Sequence, residues 1–128
     1  MILLALALAA GQAAHDPRCD SAVTPEVNAC FGARWKRADA AMNVAYRMAM
    51  AKMKAQDAHP QPDATTGPSY AAALLASQRA WLAFRDAECL SESYRYRGGT
   101  MAEMADLGCR ATLTQTRTKQ LHDLTVAE

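Results

Sequence analysis

Residues 78–89, Gln78-Arg79-Ala80-Trp81-Leu82-Ala83-Phe84-Arg85-Asp86-Ala87-Glu88-Cys89, decide the fold, because they place a large aromatic, a charge pair and a cysteine in one helical segment. At 3.6 residues per turn Gln78, Trp81, Leu82, Arg85 and Cys89 fall on one side, so an arginine is carried onto the face that packs. A charge on that face requires a partner from elsewhere in the chain.

The helix that holds this stretch is expected to begin near Ser69 and run to about Tyr94, with Leu74, Leu75, Trp81, Leu82 and Phe84 as its main apolar residues. Arg97-Gly98-Gly99-Thr100 ends it. Thr100 and Glu103 have capping-box spacing, and the following segment, Met101 to about Leu124, carries Met104, Leu107, Leu113, Leu121 and Leu124. Upstream, Thr24-Pro25-Glu26 supplies a cap, a proline for the first turn and an acidic residue. Val27, Phe31, Trp35, Ala38, Met42, Ala45 or Tyr46, Ala49 and Met53 then recur at helical intervals to about Gln56. Asp57 to Pro68, with three prolines and a glycine, reads as the connecting loop. Alanine is abundant, and no alternating run suggests a strand. The expected fold is all-α, a compact antiparallel three-helix domain stapled by two disulfides.

The first fourteen residues, an apolar run followed by small residues, read as an export signal, although no lysine or arginine precedes the run. Its apolar part is too short to span a bilayer, and no stable membrane insertion is expected after cleavage. Residues 15–128 then form one helical domain in the periplasm or outside the cell. All four cysteines, Cys19, Cys30, Cys89 and Cys109, lie in that part, and an even number in a small exported domain favours disulfides. Three pairings are open. In an antiparallel hairpin Cys89 comes level with Cys109, which leaves Cys19 for Cys30; the alternatives tie the N-terminal segment to the other helices. The cysteine intervals lack a Cys-x-x-Cys pair, and the histidines lie near helix ends or in the linker, so no metal or other cofactor is expected.

With 14 basic and 13 acidic residues, the chain has no global charge that attracts nucleic acid or an anionic membrane. Ser77, Ser91 and Ser93 have no histidine nearby in sequence, and disulfide-bonded cysteines are not nucleophiles, so no enzyme is expected. Asp39 and Asn43 stand one turn apart at the border of the packed face. Arg85 and Arg117 are candidates to bind that carboxylate, in a polar network of Asp39, Asn43, Gln78, Arg85, Asp86 and Arg117.

Four spaced blocks carry a family resemblance. The first is Cys19, Thr24, Asn28 and Cys30; the second is Trp35, Ala38, Asp39, Met42, Asn43 and Tyr46. Gln78, Trp81, Phe84, Arg85, Asp86 and Cys89 form the third, and Gly98, Gly99, Thr100, Cys109, Leu113, Thr114, Arg117 and Leu121 the fourth. Together they resemble the LprI-type lysozyme-inhibitor-like family, formerly one of unknown function, over nearly the whole mature chain. Trp35, Met42 and Phe84 depart from that pattern, where tyrosine, leucine and tyrosine are more usual.

The resemblance implies an exported protein that binds lysozyme and inhibits it without reacting. The exposed turn Tyr94-Arg95-Tyr96-Arg97 is the candidate contact, since tyrosine and arginine are common hot-spot residues. A second reading is a periplasmic structural or stress-related module that binds another cell-envelope protein and has no effect on lysozyme. A third is peptidoglycan binding, which requires Trp35, Tyr94 and Tyr96 to line one open groove.

Overall fold

The computed structural model describes residues 14–59 and 66–127. The expected signal segment falls almost wholly outside them, as does the middle of the 57–68 loop. Helix α1 spans Thr24–Ala58, α2 Tyr70–Ser93 and α3 Met101–Val126. A 3-10 turn, Pro17–Asp20, precedes α1, and another, Tyr94–Tyr96, follows α2. The fold is all-α. Asn28 and Lys52 of α1 bond to Glu103 and Thr125 of α3, so these two helices run parallel, with α2 antiparallel to both.

The closest packing is between α1 and α3, and small residues allow it. A Cβ on Gly108 would come within 3.1 Å of the Phe31 ring, so glycine there lets the ring lie against the backbone of α3. Ala38 of α1 and Ala111 of α3 are buried. The apolar core occupies the end nearest the α1–α2 connection. Met42, Ala49, Leu74 and Leu121 are buried there, with Tyr46, Met53, Trp81 and Leu82 packed around them. The opposite end is clamped by the Cys19–Cys30 and Cys89–Cys109 disulfides. So small a core supplies limited burial, and the two bridges compensate for it.

Several local expectations are corrected. Leu75, Phe84 and Leu124 are exposed rather than core residues. The reason is angular: α2 packs through Leu74, Gln78, Arg85 and Cys89, and Leu75 and Phe84 each lie about 100° away from a member of that row. Thr24 is already helical, and Val23 occupies the N-cap position without a side-chain bond. Ser21 instead accepts the Val23 N–H and donates to Glu26. The Thr100–Glu103 capping box does not form: Thr100 makes no capping bond, and the Glu103 carboxylate accepts from Asn28 Nδ2 at 2.7 Å. Tying α3 to α1 thus takes precedence over a local cap. Gly98, at φ +81°, makes the reversal before α3.

Asp57 was expected to open the loop. It lies in the last turn of α1, and its carboxylate accepts the N–H groups of Tyr70 at 2.8 Å and Ala71 at 3.0 Å. Ser69 caps Ala72 N at 3.1 Å. Three of the free N–H groups of α2 are satisfied in this way, and the negative charge sits at the positive end of the helix dipole. Asp57→Ala should therefore cost about 1 kcal/mol in urea unfolding of the oxidised protein. A change within about 0.2 kcal/mol would show that water replaces the carboxylate without loss.

Candidate functional site

Arg85 reaches the bundle interior from α2 with its side chain 7% exposed. Its Nη1 donates to Asp39 Oδ1 and to Thr114 Oγ1, each at 3.3 Å, and its Nε donates to Asp86 Oδ1 at 3.1 Å. Asn43 Nδ2 donates weakly to Asp39 Oδ2 at 3.4 Å. Asp86 Oδ1 also accepts from Arg110 Nη1 at 2.7 Å, and Arg110 Nε is bound by Asp106 Oδ2 at 2.9 Å. Each helix contributes a member, because a guanidinium offers donors in several directions from one planar group.

The same arginines pack on tryptophan. Arg110 lies 5.2 Å and Arg85 5.7 Å from the centroid of Trp35, while Arg85 at 5.4 Å and Arg117 at 5.9 Å approach Trp81. Arg110, Trp35, Arg85, Trp81 and Arg117 thus alternate through the middle of the molecule. Each contact sets a cation against the electron-rich ring. Trp35 Nε1 is buried with no hydrogen-bond acceptor among the described residues.

Arg117 forms a separate cluster. Its Nε donates to Gln78 Oε1 at 3.0 Å, Nη2 to Ser77 Oγ at 3.0 Å and Nη1 to Gln120 Oε1 at 3.3 Å. None of these is a carboxylate, and burial holds the pKa of Arg117 below the usual arginine range. The six residues expected to join one network therefore fall into two groups: Asp39, Asn43, Asp86 and Arg85 in one, Gln78 and Arg117 in the other. Trp81 lies between them. Arg110, Asp106, Thr114 and Ser77 were missed from sequence, although Asp106 and Arg110 have the i, i+4 spacing of a helix ion pair.

The turn after α2 also divides. Arg97 lies over the Tyr94 ring at 4.8 Å, so these two side chains engage each other. Arg95 and Tyr96 instead line a groove of about 330 Å³ with Phe31, Arg34, Glu92 and Gly108. Arg34 lies 5.2 Å from the Phe31 centroid, and Phe31 rests on the Gly108 backbone. Cys109 also lines the groove, which places the Cys89–Cys109 bridge at its wall. Two arginines and two aromatic rings are thus held by α1, α3 and the short turn, beside a covalent clamp.

Trp35 does not share this groove. It lines a different depression with Thr24, Pro25, Gly32 and Leu107. Both tryptophans are half-buried beneath arginines, whereas Tyr94 and Tyr96 are exposed. Phe84 and Tyr70 are exposed as well, outside the turn. The three aromatics considered for sugar stacking therefore do not line one groove. Among the described residues no group of three His, Cys, Asp or Glu side chains could hold a metal ion, and no helix is long and apolar enough to cross a membrane.

A family model described as lysozyme inhibitor LprI matches residues 17–121. An uncharacterised protein of Rhizobium meliloti (strain 1021) is 35% identical over 127 residues, covering 96% of this chain and 89% of its own length. No solved structure matches.

Proposed function

Because the chain belongs to the lysozyme inhibitor LprI family, we propose that it is an exported, non-catalytic protein that binds lysozyme in the periplasm or outside the cell and inhibits it. The observation that supports this most directly is the groove that joins Arg95 and Tyr96 to Phe31 and Arg34. Aromatic and arginine side chains gathered on one patch of the surface are the usual composition of an interface hot spot. Lysozyme hydrolyses glycans with a pair of carboxyl groups in a cleft. The two arginines offer donors of the right charge for that cleft, and the bulk of the turn would keep glycan out of it. With a formal net charge of only +1, long-range steering contributes little, so the contact depends on local geometry.

The test is a titration of muramidase activity of several lysozyme types with the mature, oxidised protein, with binding recorded in parallel. Saturable inhibition is expected. The Arg34→Ala/Arg95→Ala/Tyr96→Ala variant should weaken it by about 100-fold or more, as loss of hot-spot residues does, while its helical signal and melting temperature stay close to those of the parent. Undiminished inhibition by that variant would move the contact elsewhere. Absence of binding to every lysozyme tested would overturn the lysozyme reading and favour a module for another cell-envelope protein.

A further inference from the structure

The side of α2 that faces away from the bundle is apolar where a solvent face is normally charged. Ala73, Ala76, Ala80, Ala83, Ala87 and Leu90 are all exposed, and their spacing of three and four residues makes a straight seam along the helix. No charged residue interrupts this line over five turns. Phe84, 54% exposed, and Leu90, 51% exposed, add large apolar surface to this side of the helix, and a contiguous apolar face is a feature of interaction surfaces.

We propose that this face binds a second copy of the chain, α2 against α2 in antiparallel orientation. Three features of the seam select that occupant. The first is volume: turning the seam about its midpoint sets Leu90 against Ala73 of the other copy at both ends. Alanine then meets alanine in the middle, where the helix axes come close. The second is charge. Arg79 and Asp86 flank the same edge of the seam, and the two-fold operation brings Arg79 of each copy to Asp86 of the other, giving two complementary pairs and no like-charge opposition. Asp86 can accept the extra bond, because its side chain is 52% exposed and both of its intramolecular bonds fall on Oδ1. The third is size. A seam of about 27 Å with a flank of about 10 Å on each side buries about 1,100 Å² in total, just above what a specific interface requires.

A consequence follows for the groove at Arg95 and Tyr96. It lies about 13 residues from the midpoint of the seam, so the dimer carries two open grooves at opposite ends, about 40 Å apart. The proposed association does not depend on what those grooves bind.

Sedimentation equilibrium of the mature, oxidised protein over about 1 to 500 μM tests this. A reversible monomer–dimer equilibrium is expected. Ala80→Glu/Ala83→Glu sets carboxylates against each other at the centre and should weaken association by about 100-fold or more. Both positions are exposed and glutamate is a good helix former, so the melting temperature of the monomer should hold. Met48→Glu, on the exposed outer face of α1, should leave the dimer intact. Arg79→Asp should weaken it by several-fold and more so at low salt, where like charges are poorly screened. A parent protein that remains monomeric throughout overturns the proposal. So does a dimer that survives the double glutamate substitution, or one that Met48→Glu dissociates in its place.

Discussion

Arg85→Ala is expected to lower the stability of the oxidised protein by about 3 kcal/mol, the lower part of the range for breaking a buried ion pair. The loss combines several effects. Thr114, which is fully buried, loses the donor at its hydroxyl, and the facing sides of Trp35 and Trp81 lose the cation between them. Asp39 and Asp86 are left without that arginine, but their side chains are 39% and 52% exposed and water can reach them. That access holds the effect near 3 rather than 5 kcal/mol. Arg85→Lys should recover only a minor part, since an ammonium cannot supply Nε and Nη1 bonds in two directions. Arg117→Ala should cost less, about 1 to 2 kcal/mol, because its acceptors are neutral and those on Ser77 and Gln120 belong to exposed residues. Urea unfolding of the three variants checks the order. Losses below about 0.5 kcal/mol for both arginine-to-alanine variants would show that neither cluster stabilises the bundle.

Replacing Cys89 and Cys109 together by alanine is the other large effect. The bridge closes a loop of sequence separation 20, and in the chain-entropy account its removal frees the unfolded chain by about 3 kcal/mol. For a domain of this size that corresponds to a fall in melting temperature of roughly 10 to 20 °C. The variant also removes the covalent tie between α2 and α3 at the wall of the Arg95–Tyr96 groove. Lysozyme binding, if it uses this groove, should then weaken more than the change in the folded fraction alone explains. Thermal and urea unfolding without reductant measure the first effect, and binding well below the midpoint measures the second. A stability loss under about 1 kcal/mol would mean that the turn holds the hairpin without the bridge.

The three helices were legible because their signals are local. Pro25 and Glu26 mark the start of α1, Ser69 caps α2, and Gly98 permits the reversal before α3. The apolar spacing along α1 singled out Ala38, Met42 and Ala49, all of which are buried. The pairing of Cys89 with Cys109 follows from two helices of similar length joined by a short turn. Local signals misled where a distant partner competed for the same group. Glu103 has the spacing to cap its own helix, yet Asn28 takes its carboxylate. Asp57 looks like a loop residue, yet the N–H groups of Tyr70 and Ala71 bring it to the start of the next helix. Leu75 and Phe84 are apolar enough for a core, but three helices enclose only one side of α2.

The candidate site was legible in part. An arginine at position 85 on a packed face announces that a carboxylate must be near, and Asp39 was identifiable as one candidate from its place beside Ala38 and Met42. The alternation of Arg110, Trp35, Arg85, Trp81 and Arg117 was not. It depends on the relative rotation and height of three helices, which no single segment encodes.

The sequence by itself determined the helices, their order, many of the residues that face inward and the family, because periodicity, punctuation and motif spacing are properties of the chain read along its length. Only the tertiary structure decided which arginine meets Asp39, that Arg117 has neutral partners, and that Arg95 and Tyr96 share a groove with Phe31 and Arg34. These outcomes depend on how closely helices approach and which side chains arrive level with one another, and Gly108 leaves room for the Phe31 ring between α1 and α3.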